Sequence, residues 1–290
     1  MPVGIIITTT TSTMDITIMS NDGNTAPPLE GLGREADRCW KGVAPASSKR
    51  SNTAPTCPSD LGPLRSPSPQ GQGECASISS PALLHLLTWL SPAFPTGAFA
   101  YSHGIEWAVD AGDIIDGDTL RDWLADLLTH GAPRTDTILA RYAQHPHADL
   151  AMLAELAAAT APARERQAET LNQGAAFMRA ARPWGCPNLP DPVAYPIAVG
   201  ALAALHRIDP DATAIAYLHA ITVNLISAAV RLVPLGQSTG LAVLAALEPV
   251  ILRVATETRS ATLDDLGGAA FCSDLTAMRH ETQYTRLFRS

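Results

Sequence analysis

Three groups of residues in this 290-residue chain have side chains and spacings that could do chemistry. Ser102-His103-Gly104 sets a hydroxyl beside an imidazole, the pairing that activates a nucleophile when the base reaches the hydroxyl. His145-Pro146-His147 sets two imidazoles close together, and imidazole suits nickel or zinc. The C-terminal run from Met278 to Ser290 interleaves Arg279, His280, Glu281, Tyr284, Arg286 and Arg289 with Met278, Leu287 and Phe288. Arginine and tyrosine combine contact area with directed hydrogen bonds, which is the chemistry of protein–protein hot spots.

Each group has a plainer reading. The stretch Gly97-Ala98-Phe99-Ala100-Tyr101-Ser102-His103-Gly104 is not a G-x-S-x-G elbow, and no strand pattern precedes it. Adjacent residues on a helix point about 100° apart, so Ser102 and His103 read as helix surface plus core packing. His145 and His147 read as a solvated loop, since two histidines alone make a weak site. His103 and His280 could serve as transient metal ligands, but histidines beside aromatic residues read first as hydrogen-bonded structural groups. Asp264-Asp265 reads as a loop or cap. The tail keeps its functional reading. A terminus frays unless it is tied down, and an exposed Leu287-Phe288 pair needs a cover, so docking on a partner is favoured over folding back on the chain's own core.

The elements that must position these groups are helical. Pro81 opens an apolar helix through Leu83, Leu84, Leu86, Leu87 and Leu90, which stops at Ser91-Pro92. Pro95 and Gly97 predict a loop. Leu120, Trp123, Leu124, Leu127 and Leu128 recur on one helical face, with Asp118 or Thr119 as the cap and Gly131 as the stop. Further helices are predicted near 134–144, 148–159 and 163–181. A connection over 182–192 follows, then an alanine-rich helix at 196–205, where Gly200 allows close approach. Asp209-Pro210-Asp211 opens a long uncharged helix ending near Pro234-Leu235-Gly236, and a helix over 238–257 should be kinked by Pro249. Residues 212–230 approach membrane-spanning length but carry Thr213, His219, Thr222, Asn224 and Ser227, so they read as a buried central helix.

Composition sets the wider bounds. Hydrophobic residues make up 46% of the chain, enough for a sizeable core. A net charge of -8 argues against nucleic-acid binding, which needs a basic face. Cys39, Cys57, Cys75, Cys186 and Cys272 are scattered and odd in number, which excludes a disulfide framework and points to a reducing, cytoplasmic setting. No convincing signal peptide opens the chain, and no glycine-rich phosphate loop occurs in it. Residues 1–80 are rich in Ser, Thr, Pro and Gly, with Trp40 as their only aromatic residue, and are expected to be disordered. The architecture predicted for 81–290 is an all-α single bundle of about eight to ten helices.

Three blocks resemble the urease accessory protein UreF family: residues 90–107, residues 227–237 and the tail 278–290. With the helices between them, the resemblance spans about 81–290 and leaves 1–80 outside. It implies an all-α homodimer with no catalytic residues, no resident metal and no cofactor. The implied partners are a UreD/UreH-like accessory protein, a nickel-carrying UreG-like GTPase and apo-urease, whose active-site lysine is carbamylated. The family role it implies is to bridge the first two, to gate the GTPase and to provide part of a nickel passage. It also implies that the tail orders on the UreD-like partner, with Tyr101 and Arg286 at positions tied to that ordering and to GTPase recruitment. No nucleic acid and no membrane are expected. The runner-up is a hydrolase or metal-dependent enzyme using Ser102 and His103.

Overall fold

A computed structural model describes residues 78–290. The expectations for Trp40 and the rest of the low-complexity segment fall on residues 1–77, outside the described residues. Ten α-helices and three short 3-10 turns make up the regular structure of the described residues, which contain no strand. The helices are α1 (Ser80–Trp89), α2 (Ile105–Asp110), α3 (Gly117–His130), α4 (Ala132–Ala143) and α5 (Leu150–Ala159). They continue as α6 (Arg164–Ala181), α7 (Tyr195–Leu205), α8 (Pro210–Leu232), α9 (Gly236–Glu257) and α10 (Phe271–His280). The all-α class read from the periodicity is the one observed.

Helix α8 is the wall between two cores. On one side Leu218 and Leu225 join Leu120, Leu124 and Leu128 of α3 and Leu247 and Val254 of α9. On the other, Tyr217 joins Leu139 of α4, Phe177 of α6, Ile197 and Leu202 of α7, and Trp89 of α1. A helix feeding two cores must be apolar nearly all round, which is why 212–230 looked like a span. Helices α8 and α9 are both long and apolar enough to cross a membrane by length and composition, and half of that stretch of α8 is buried inside the bundle.

The start signals act locally. Asp209 accepts the N–H groups of Asp211 (2.8 Å) and Ala212 (2.9 Å) at the head of α8. Expected at Asp118 or Thr119, the cap of α3 is instead Asp116. Its carboxylate accepts Thr119 N–H at 2.9 Å, and the Thr119 hydroxyl oxygen accepts Asp116 N–H at 3.0 Å. Asp118 sits in the first turn and pairs with Arg121 at 2.6 Å. The five predicted apolar positions of α3 are all buried, and Gly131 ends the helix. Helix α9 starts two residues earlier than expected and runs through Pro249. The connection at 182–192 opens with a 3-10 turn whose Trp184 packs edge-on against Trp89.

Gly200 marks the closest approach of α7 to α4. A Cβ there would lie 2.2 Å from the Ala140 carbonyl oxygen. Helix axes must separate to admit it, so Gly200→Ala is expected to cost about 3 kcal/mol despite alanine's better helix propensity. The shift of the urea midpoint measures this, and a change below about 0.5 kcal/mol would show that the packing gives way freely.

Candidate functional site

The C-terminal tail is anchored on α2, and the anchor begins with a glycine. Gly104 precedes α2 at φ 78°, and a Cβ on it would lie 2.6 Å from the Ala277 nitrogen. Helix α10 therefore passes close over the start of α2, and the chain beyond it doubles back. Glu106, buried on α2, accepts the backbone N–H of Leu287 (2.6 Å) and of Phe288 (2.9 Å), and lies 3.2 Å from His280 Nε2. Arg289 N–H donates to the Ala100 carbonyl at 2.8 Å and Ser102 N–H to the Ser290 carbonyl at 2.7 Å. Glu165 of α6 accepts from Arg286 (2.6 Å) and lies 2.6 Å from His280 Nδ1. Glu281 accepts Arg164 N–H at 2.9 Å and so caps α6, whose own N-cap, Ala163, has no side chain to do it.

This geometry sorts the residues singled out for partner binding. Tyr101, His280 and Phe288 are buried in the chain's own core, with Phe288 under the Arg231 guanidinium at 4.4 Å from its ring centroid. Met278, Arg279, Arg286 and Arg289 are exposed, Leu287 is 76% exposed and Tyr284 stands fully in solvent at 103%. Glu281 is half-buried. The need for a cover is therefore met for Phe288 by the chain itself and is unmet for Leu287. Within the single chain, residues 287–290 pack back on α2 and the loop before it. The backbone bonds to Glu106 and Ala100 explain this, because they serve any sequence of side chains and leave every second one outside. Tyr101 lies between Ala100 and Ser102, which bind the last two residues, whereas Arg286 is paired with Glu165.

The Ser102–His103 readings need correction. Both residues lie in the loop before α2, not on a helix, with His103 at φ 55° and both side chains buried. The Ser102 hydroxyl donates to the Ser290 carbonyl, and His103 Nε2 faces Glu169 at 2.8 Å. The imidazole thus meets a carboxylate and the hydroxyl meets a carbonyl, so they are not a nucleophile and its base. His103 and His280 both follow the structural reading, being hydrogen-bonded to carboxylates. His145 and His147 lie exposed in the loop after α4. Asp265 forms a capping box with Thr262. Among the described residues no three His, Cys, Asp or Glu side chains cluster as metal ligands would.

A second buried network centres on Glu169 of α6. Arg166 of α6 pairs with Glu169, which also accepts from Gln173 (2.7 Å) and from the Ser290 hydroxyl (2.9 Å). Burial pushes the Glu169 carboxyl up, but Arg166 and then His103 outweigh it and hold it down at about 2. Burial, followed by Arg166, lowers His103 against the opposing pull of Glu169. Asp136, bonded by the Tyr217 hydroxyl at 3.1 Å, is pushed up to about 6 by burial, which outweighs Arg166 and Tyr217. His103, Asp136, Arg166, Glu169, Gln173 and Tyr217 line a cavity of about 170 Å³. His103 Nδ1 and Arg166 Nε are buried there without a protein partner. A signal existed in the sequence: Arg166, Glu169, Thr170 and Gln173 recur at helical spacing, so the buried face of α6 is polar over its first half before Gly174, Phe177 and Ala181 continue it.

A family model described as UreF matches residues 114–248. The chain is 49% identical over 237 residues to the urease accessory protein UreF of Bradyrhizobium sp. (strain BTAi1 / ATCC BAA-1182), covering 77% of this chain and 98% of that protein. It is 51% identical over 224 residues to the urease accessory protein UreF of Rhodopseudomonas palustris (strain TIE-1), covering 73% and 93%. The protein of the same description from Bradyrhizobium sp. (strain ORS 278) is 50% identical over 241 residues, covering 78% and 97%.

Proposed function

The chain belongs to the UreF family of urease accessory proteins, and from that premise we propose that it is a non-catalytic scaffold for urease maturation. It bridges a UreD/UreH-like accessory protein and a UreG-like GTPase in the cytoplasm, as a homodimer, so that nickel reaches apo-urease. The observation that carries this reading is the tail: a backbone fixed on α2 that turns Tyr284 and Leu287 outward. An anchored backbone lowers the ordering cost of docking for the large side chains it carries into solvent. Met278 continues the same exposed stretch from α10, beside Leu275 at 47% and Phe271 at 74% exposure.

The test is co-purification of the full chain with a UreD-like and a UreG-like partner. Deleting Arg279 to Ser290 is a poor probe, because it strips Glu106, Glu165 and Glu169 of buried donors and weakens the core itself. Tyr284→Ala with Leu287→Ala removes only exposed surface. The double variant is expected to bind the UreD-like partner at least about tenfold more weakly, a loss of about 1.4 kcal/mol or more, with an unchanged melting temperature. Undiminished co-purification would remove the tail from the interface. The hydrolase alternative finds no support in the geometry of Ser102 and His103 described above.

A further inference from the structure

Asp136 of α4 stands half-buried on the wall of the cavity of about 170 Å³, and its accepting capacity there is largely open. A carboxylate offers about four lone-pair sites. Among the described residues one hydrogen bond is made to Asp136, from the Tyr217 hydroxyl at 3.1 Å. The other carboxylate of the wall, Glu169, is filled by His103, Arg166 and Gln173. Arg166 is thereby paired with Glu169 and acts on Asp136 only at longer range. Two carboxylates thus face one guanidinium, and the wall is left negative once Asp136 ionises.

The rest of the cavity is built in two tiers. Beside Asp136 the rings of Tyr217 and Tyr195 lie tilted at 38°, with centroids 5.6 Å apart. Asn224 gives its amide N–H to the Ala98 carbonyl at 3.0 Å, which leaves its side-chain oxygen as a further acceptor. The mouth above is apolar, formed by Leu90, Ile221 and Val223 with Phe99 at 69% exposure. Arg231 holds the Phe99 carbonyl at 2.8 Å, so the loop that carries Phe99 is tied to α8 at two points and the mouth is preformed.

This arrangement selects among ligands. An anion meets two carboxylates and is repelled. A bare metal ion needs several ligands gathered at one point, and no three His, Cys, Asp or Glu side chains cluster among the described residues. A guanidinium head suits the walls: it is planar, donates in several directions, matches a carboxylate with its fork and lies well against a tyrosine ring. A short alkyl stem suits the apolar mouth. An apolar cavity of about 150 Å³ takes up benzene, so this one has room for about six heavy atoms, the size of ethylguanidinium.

We propose that the cavity is a binding site for an alkylguanidinium group, with Asp136 receiving the head, Tyr195 and Tyr217 flanking it, and Leu90, Ile221 and Val223 covering the stem. A bound cation would offset the cost of keeping the Asp136 carboxylate in a partly buried wall, which nothing else in the chain offsets by an ion pair. The site is a property of the chain by itself and does not rest on the scaffold reading above.

The experiment titrates the full-length chain, labelled with nitrogen-15 at tyrosine, with ethylguanidinium chloride up to about 20 mM, far below denaturing concentrations. The signals of Tyr195 and Tyr217 are expected to shift with a Kd of about 1 mM or tighter, while Tyr142, which lies outside the cavity, stays in place. Ethylurea has the same shape without the charge and should bind at least about tenfold more weakly. Asp136→Asn keeps the shape of the wall and should weaken ethylguanidinium at least about tenfold. No shift at Tyr195 and Tyr217, an equal response to ethylurea, or unchanged binding by Asp136→Asn would overturn the proposal. The same head can arrive on a free small molecule or on an arginine of a docked protein. Normal co-purification of Asp136→Asn with the UreD-like and UreG-like partners assigns the site to a small molecule, and a loss there assigns it to a partner's arginine. The titration contains no partner, so its failure is separate from any failure of the co-purification.

Discussion

Glu169→Ala should destabilise the fold by about 4 kcal/mol, because it leaves the Arg166 guanidinium buried without its counter-charge. Both side chains are buried between α6 and the loop before α2, where a water from the adjoining cavity supplies a hydrogen bond but no counter-charge. The Gln173 amide and the Ser290 hydroxyl lose their acceptor in the same step, which adds unsatisfied donors to an unpaired charge. The effect has a defined pH dependence. The folded carboxyl titrates at about 2, below its ordinary value of 4.5. Its contribution is therefore fully present above pH 4.5 and fades as pH falls toward 2. Urea unfolding of the variant at neutral pH measures the loss, and a change under about 1 kcal/mol would mean that water or a rearranged Arg166 rescues the charge. Adding Arg166→Met should restore part of the loss, since the desolvation cost then disappears with the charge.

Asp136→Asn should act in the opposite direction and stabilise the protein at neutral pH. The Asp136 carboxyl is half-buried beside Tyr217, and burial pushes it from 3.8 up to about 6. The unfolded chain therefore ionises this group at lower pH than the folded chain does. Ionising it costs folding free energy progressively from pH 3.8 to about 6, and the cost is constant above that. An amide of the same shape still accepts the Tyr217 hydroxyl but never ionises. The gain expected at pH 7 is on the order of 2–3 kcal/mol, shrinking to nothing near pH 4. Melting curves of the two proteins across that range give the answer, and a variant less stable than the parent at pH 7 would refute the assignment. Asp136 lines the same cavity as Arg166, Glu169 and His103, so this wall carries a net stability cost where its neighbour Glu169 carries a gain. Groups pushed in opposite directions side by side are a common mark of a functional region.

What could be read from the residues was local or periodic. Leu120, Trp123, Leu124, Leu127 and Leu128 repeat with the pitch of a helix, so their common burial follows whatever they pack against. Asp209 before Pro210 caps a helix through atoms two and three residues away. Gly200 among alanines marks a close crossing because only the absence of a side chain allows one. The cap of α3 falls at Asp116, two residues before Asp118 and three before Thr119, since several neighbouring side chains can each cap a helix and loop geometry chooses among them. Family membership was legible for the same reason: its three blocks are contiguous stretches of chain.

What only the tertiary structure decided depends on groups far apart along the chain. Ser102 and His103 look like a helix-borne pair until Gly104, at φ 78°, turns them into a buried loop that binds Ser290 and Glu169. The polar stripe of α6 has the spacing of a buried face, but its chemistry argues for solvent. Only the converging partners His103 and Ser290 make its burial tolerable. The tail shows the limit most clearly. Its side chains advertise contact by their types, yet which of them face outward is set by Glu106, 181 residues upstream of Leu287, whose carboxylate takes two backbone amides. Residue types and periods determined that there would be helices. The direction each tail side chain points was decided by backbone hydrogen bonds, which are indifferent to side-chain identity and therefore leave no trace in the local sequence.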